Sequence, residues 1–141
     1  MAIDWTKIYR KYKGLWVALD KDEKTVIASG GDGSAIFSNP EAVLWTAAKY
    51  NAPVLYIINN NGKYAAVENN LAVYGGRSSY AGKAGFNGAD LTPSPNFAMI
   101  AQAMGGYGEK VTGSDQMPQA LQRALDAVKH GQSAVLDTIV S

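Results

Sequence analysis

The sequence predicts an α/β protein: an open, mostly parallel sheet with helices on both faces, preceded by an N-terminal helix and strand. Three observations carry this. From Thr25 onward, strand-length apolar runs alternate with helix-length segments in the order β-α-β-α-α-β-α-β, the pattern of a parallel sheet with crossovers. Residues 54–58 (VLYII) are nearly all apolar, as suits a strand buried on both faces. With 141 residues and 47% hydrophobic content, the chain has the size of one domain with a core of its own.

Residues 3–13 carry Trp5, Ile8, Tyr9 and Tyr12 at helical spacing, with Asp4 as N-cap and Gly14 as stop. Leu15–Leu19 reads as a strand and Asp20–Lys24 as a solvated turn. Asp20 and Asp22 lack the glycine and distal glutamate of a calcium loop. Thr25–Ser29 is a β-branched strand leading into Gly30-Gly31-Asp32-Gly33. Asn39 as N-cap, Pro40 at N1 and Glu41 in the first turn open a helix to about Asn51. Val43, Ala47 and Tyr50 lie on one face of it, with Leu44 and Trp45 beside them. After 54–58, a helix is expected over 64–74, then a loop at 75–95, a helix over 97–104 and a short strand at 109–112. A helix from Ser114-Asp115 to Lys129 presents Met117, Leu121, Ala124, Leu125 and Val128, and residues 133–140 form the last strand.

Composition excludes several functions. Thirteen basic against twelve acidic side chains leave a charge of +1, with no basic field for nucleic acid. No run approaches the roughly 18 apolar residues of a membrane span, and no apolar signal core follows the N-terminal charges, so a cytoplasmic protein is expected. Zero cysteines exclude thiolate chemistry and disulfides, and a single histidine, His130, excludes a two-histidine metal site. His130, in the last turn of a helix, suits the helix dipole. Trp5, Trp16 and Trp45 read as core or interface packing. A generic nucleotide-binding domain would need G-x-G-x-x-G or a P-loop lysine, and neither is present.

The chemistry concentrates at Gly30–Ser34 and Asn59–Gly62. Asp-Gly and Asn-Gly are each common hairpin turns. Here, however, 25–58 reads as a βαβ unit, which puts both stretches at carboxyl ends of parallel strands, where open α/β sheets bind ligands. Asp32 offers a carboxylate, Asn61 a carboxamide oxygen and the following turn a carbonyl, a set of hard oxygens suited to Mg²⁺ carrying a diphosphate. Gly31 and Gly33 let the backbone approach phosphate oxygens, and Ser34 can donate to one.

The segment GDGSAIFSNPEAVLWTAAKYNAPVLYIINNNGKYAAVE resembles the cofactor motif of thiamine diphosphate-dependent enzymes, in particular the benzoylformate decarboxylase and acetolactate synthase branch. The likeness extends to FAMIAQAMGGYG and SAVLDTIV, so residues 25–141 are expected to form the diphosphate-binding domain and 1–24 a separate helix–strand segment. The resemblance implies thiamine diphosphate and Mg²⁺ as cofactors. It makes Asp32 and Asn61 the side-chain metal ligands, with the Lys63 carbonyl beside them. Reading Asn59-Asn60 as the family's asparagine pair would give Asn60 and Gly62 instead; the NNGKY continuation favours the first. Gly31, Gly33, Ser34, Tyr64 and Ala65 would line the diphosphate.

In that family the cofactor lies between two domains, and the other one supplies an activating glutamate. Glu23, Glu41, Glu68 and Glu109 do not match that context here, Glu109 reading as a loop charge. The resemblance therefore implies a pyrimidine-binding partner domain or subunit, or a second copy of this chain. It implies a small 2-oxo acid substrate if active, and no catalytic residue in this chain. The alternative is an interaction module that keeps the fold without the cofactor. The N-terminal part faintly resembles a helix–hairpin module, in which LWVAL and TVIAS would be antiparallel partners.

Overall fold

The computed structural model describes residues 17–19, 26–75 and 87–140. The helix expected over 3–13 with its caps, the turn at 20–24, Trp5, Trp16 and residues 76–86 of the expected loop lie outside the described residues. In chain order the first elements are β1 (Val17–Leu19), β2 (Val26–Gly31), α1 (Asp32–Phe37), α2 (Pro40–Lys49) and β3 (Val54–Asn60). They are followed by α3 (Ala65–Gly75), a single 3-10 turn (Asn87–Ala89), α4 (Phe97–Ala103), β4 (Tyr107–Val111), α5 (Met117–Lys129) and β5 (Ala134–Ile139).

The sheet order is β1-β2-β3-β5-β4. Strands β2, β3, β5 and β4 are parallel neighbours, the mostly parallel sheet expected from the alternating pattern. Strand β1 lies antiparallel on β2, with Val17 opposite Ala28 and Leu19 opposite Val26. Helices cover both faces. On one, Ala120, Ala124 and Val128 of α5 pack on Leu55, Ala134 and Leu136. On the other, Ala35 of α1, Leu44 of α2, and Phe97 and Ala101 of α4 pack on Ile58 and Val135. Successive strand residues alternate between these two cores, which is why the central strands are apolar without interruption. Among the described residues, no helix is long and apolar enough to cross a membrane.

Several local expectations change. GDGSAIF forms a short helix, not an open loop or hairpin turn, because Ala35 is wholly buried against the sheet core. Six residues are too few for periodicity to announce a helix; tertiary packing supplies the stability. In α2 the buried residues are Pro40, Leu44 and Ala47, while Val43 and Tyr50 are exposed. The face read from Val43, Ala47 and Tyr50 is thus rotated, since Leu44 is the residue that reaches the core. Trp45 is likewise outside the core, its ring 4.7 Å from the Lys49 ammonium. Asn39 occupies the N-cap position of α2 but makes no side-chain capping bond; its backbone carbonyl accepts from Ala42 and Val43 instead. Helix α5 begins at Met117, with Pro118 in its first turn, where a missing N–H is harmless. Strand β3 runs two residues past Ile58, because Asn59 and Asn60 still pair with Thr138 and Ile139.

Candidate functional site

The parallel register places Gly31 opposite Asn59, so the carboxyl ends of β2 and β3 bring both polar motifs to one sheet edge. Asp32, the first residue of α1, is only 2% exposed. Its Oδ1 accepts from the Gly33 N–H at 2.9 Å, and its Oδ2 accepts from the Gly62 N–H at 2.8 Å. One carboxylate therefore ties the two motifs together. Gly62 sits at φ +69°, a conformation side chains resist, and reverses the chain just beyond the strand.

The three consecutive asparagines do different things. Asn59 faces Ser29, its Nδ2 donating to the hydroxyl at 3.3 Å. Asn60 is buried on the opposite side of the strand. Its Nδ2 donates to Asp137 Oδ1 at 2.9 Å, and its Oδ1 accepts from the Gly62 N–H at 3.2 Å. Only Asn61 lies beyond the strand, and its Oδ1 accepts from the Lys63 N–H at 3.1 Å.

Lys63 forms an isolated antiparallel bridge with Asp90. The bridging bonds come from its neighbours: Tyr64 N–H donates to Ala89 O and Leu91 N–H to Gly62 O, both at 2.8 Å. Lys63 and Asp90 are thus the non-hydrogen-bonded pair, and the Lys63 N–H and C=O point away from the 89–91 segment, on the side of the Asn61 carboxamide. The Lys63 ammonium is turned to Glu68 at 3.5 Å.

All eight residues expected at the site (Gly31, Asp32, Gly33, Ser34, Asn61, Lys63, Tyr64 and Ala65) line one cleft of about 380 Å³, with Phe37, Asn59 and Val67 among its other walls. Gly33 also meets a packing demand of its own. A Cβ there would lie 2.3 Å and 2.6 Å from two ring carbons of Tyr64, so the glycine makes room for that ring. Tyr64 in turn packs on Phe37, their ring centroids 5.4 Å apart. Among the described residues, no three acidic, histidine or cysteine side chains cluster as a metal site. A cation at this edge would be held by one carboxylate and neutral amide oxygens. That all-oxygen donor set, on loops already held in place, would suit a hard divalent cation such as Mg²⁺.

Two residues named from the sequence fall elsewhere. His130 caps the C-terminal end of α5, its Nδ1 2.7 Å from the Asp126 carbonyl, and lines a separate cleft with Gly105, Gly131 and Ser133. Glu109 is not a loop charge but a β4 residue, held by Arg123 at 2.6 Å and 3.0 Å and by the Tyr107 hydroxyl. The Arg123 guanidinium keeps the Glu109 carboxyl below its ordinary range, while burial pushes the Tyr107 phenol up. Sequence reasoning missed the Asn60–Asp137 pair. Its one signal was the only charged residue of SAVLDTIV.

The family model for the thiamine pyrophosphate enzyme C-terminal TPP-binding domain matches residues 13–138. The chain is 28% identical over 128 residues to the acetolactate synthase isozyme 3 large subunit of Escherichia coli, covering 89% of this chain and 20% of that protein. It is 32% identical over 111 residues to the acetolactate synthase large subunit of Haemophilus influenzae, covering 78% and 18%. With the sulfoacetaldehyde acetyltransferase of Alcaligenes xylosoxydans it shares 29% over 116 residues, 82% of this chain and 18% of that one. Among solved structures, the thiamine diphosphate-dependent 4-hydroxybenzoylformate decarboxylase of Rhodococcus jostii superposes with a TM-score of 0.65 at 28% identity, covering 85% of this chain and 20% of that one. The chain thus spans about a fifth of the length of these relatives.

Proposed function

Because the chain belongs to the thiamine pyrophosphate enzyme family, as its C-terminal TPP-binding domain, we propose that it holds thiamine diphosphate through a Mg²⁺ ion bound by Asp32, Asn61 and the Lys63 carbonyl. The observation that carries this reading is the Asp32 carboxylate, which joins both motif loops at the carboxyl edge of the sheet beside a cleft they share. Two placements support Asn61 and Lys63 over Asn60 and Gly62. The Asn60 carboxamide is engaged with Asp137 and Gly62, and the Gly62 carbonyl with Leu91. Asn61 and Lys63 instead line the cleft with Asp32.

In this reading Asp32 supplies the charge, while Asn61 and Lys63 complete the protein's share of the coordination. Ser34 donates to a phosphate oxygen, and Gly31, Gly33, Tyr64 and Ala65 form the wall against which the diphosphate lies. Residues 25–141 are the binding unit, with residues 1–24 a separate segment. When bound, the cofactor supplies the electron sink for decarboxylating or joining 2-oxo acids; this chain's residues anchor and orient it. A pyrimidine-binding domain or subunit, or a second copy of this chain, completes the site and supplies the activating glutamate, in the cytoplasm. The names of the relatives span a synthase, an acetyltransferase and a decarboxylase, so the reaction class, not one substrate, is proposed.

Titration calorimetry tests this. Thiamine diphosphate should bind only with Mg²⁺ present, and Asp32→Ala should abolish the binding. No heat of binding, with or without a pyrimidine-binding partner, would overturn it. One observation favours the second reading, a module that keeps the fold without the cofactor. Both Asp32 oxygens accept backbone N–H groups, so protein hydrogen bonds alone join the loops.

A further inference from the structure

Asp137 lies within β5, wholly buried, with Ile58 opposite it on β3 and Lys110 opposite it on β4. Its Oδ1 accepts from Asn60 Nδ2 at 2.9 Å, and its Oδ2 is buried with no hydrogen-bond partner among the described residues. A half-satisfied acid is an unfavourable core residue, and an apolar side chain of similar volume would pack the position better. Core packing does not explain it. We infer that Asp137 is a positioning residue for the proposed cation-binding loop, acting through Asn60 on the Gly62 amide; the inference rests on the assignment of Asn61 and Lys63 as ligands.

The strand register brings the pair together. Asp137 is opposite Ile58, and Asn60, two residues further along β3, projects from the same face. A carboxamide can turn either its oxygen or its NH₂ group toward a neighbour. Asp137 Oδ1 accepts from the Asn60 NH₂, which leaves the Asn60 oxygen facing the Gly62 N–H at 3.2 Å. That same N–H donates to Asp32 Oδ2 at 2.8 Å. The Gly62 amide is therefore gripped by Asp32 from the end of β2 and by Asn60, itself oriented from β5. Asn61 and Lys63 flank Gly62 directly, so an amide released from this grip would carry both proposed ligands with it. An asparagine turned the other way would set a donor against the Gly62 N–H and push the loop outward.

The test uses the full 141-residue chain. Hydrogen exchange of the Gly62 amide, followed by NMR without cofactor, reads the grip itself. Mn²⁺ affinity in the presence of thiamine diphosphate, followed by electron paramagnetic resonance, reads its consequence. Asp137→Leu should speed Gly62 exchange about tenfold while Ile57 and Ile58 stay protected, the loss of one hydrogen bond. It should weaken Mn²⁺ binding by about 10-fold or more, as loss of a ligand-orienting partner does. Asp137→Asn, which can still accept from Asn60, should keep both values within about threefold of wild type. In an Asn60→Ala background, Asp137→Leu should change neither value further.

The inference is overturned if Asp137→Leu leaves Gly62 exchange unchanged, or if its effects persist undiminished without the Asn60 side chain. If Asp137→Leu does not fold, Asn60→Ala alone must release Gly62, and an unchanged amide there overturns the inference equally. A wild-type chain that protects Gly62 but binds no Mn²⁺ with thiamine diphosphate, with or without a pyrimidine-binding partner, would refute the assigned ligands while leaving the Asp137–Asn60–Gly62 linkage standing.

Discussion

Asp32→Asn isolates what the carboxylate contributes to the loops. The native side chain accepts two backbone donors, Gly33 N–H at 2.9 Å in a buried setting and Gly62 N–H at 2.8 Å in a partly buried one. An asparagine of the same shape has one oxygen and one NH₂ group, so one of the two N–H groups must face a donor. The oxygen should turn toward Gly33, which is shut off from water, leaving the NH₂ opposite Gly62, where Asn60 Oδ1 at 3.2 Å still offers an acceptor. The loss is then close to one charge-assisted hydrogen bond, about 1.5–3 kcal/mol, at the low end because Asn60 partly compensates. A cost of about 2 kcal/mol is about a 30-fold fall in the folded-to-unfolded ratio, and about 6–8 °C in Tm for a chain of this length. Urea and thermal unfolding followed by circular dichroism measure it. A variant within about 0.5 kcal/mol of wild type, the usual range of an inconsequential surface change, would refute the double-acceptor role of Asp32.

Gly33→Ala should cost about 1–3 kcal/mol by driving its Cβ into the Tyr64 ring, and the cost should vanish in a Tyr64→Ala background. A double-mutant coupling near zero would show that the ring does not fill this space. Gly108→Ala should lie at or beyond the top of that same range of about 1–3 kcal/mol, because its Cβ would fall 2.0 Å from the Ala98 carbonyl oxygen. Backbone cannot swing aside as a ring can, so near-native thermal stability would mean that the Ala98 carbonyl of α4 does not lie against Gly108 of β4. The Glu109 carboxyl is held below its ordinary value of 4.5, chiefly by Arg123, so its contribution is present above that pH and is lost as pH falls through the lowered value. The stability difference between wild type and Glu109→Gln should therefore be present at pH 6 and shrink toward pH 3, and should be small because the Arg123 side chain is half exposed and the pair is screened by salt. A difference that grows on acidification would contradict that sign.

Much of this protein is legible from local pattern. Strand-length apolar runs, helix stops and the Asn39-Pro40-Glu41 start are written in short-range chemistry, and they place β3, α2, α4, α5 and β5 to within a few residues. The position of the candidate site is legible for a related reason: Asp32 and Asn61 follow strands of a βαβ unit, and its topology sends both to one edge before any side chain is placed. Helix α1 was hidden because six residues carry no readable period; burial of Ala35 against Ile58 and Phe97 decides it. The core face of α2 was misjudged because several apolar stripes share that helix, and only the sheet beneath it selects Leu44 over Val43.

What the sequence alone determined is the fold class, the family resemblance and the sheet edge at which its polar motifs meet. What tertiary structure decided is the division of labour among three identical neighbours. Asn59, Asn60 and Asn61 have the same chemistry, and only the NNGKY continuation singles out Asn61; nothing local says where the other two point. Pairing with β5 keeps the first two in the strand, the two faces of the sheet send them to Ser29 and Asp137, and only Asn61 is left beyond the strand beside Asp32. The physical reason is that a side chain's surroundings are set by register across strands far apart in the chain: Asp137 lies 77 residues from the Asn60 carboxamide that donates to it.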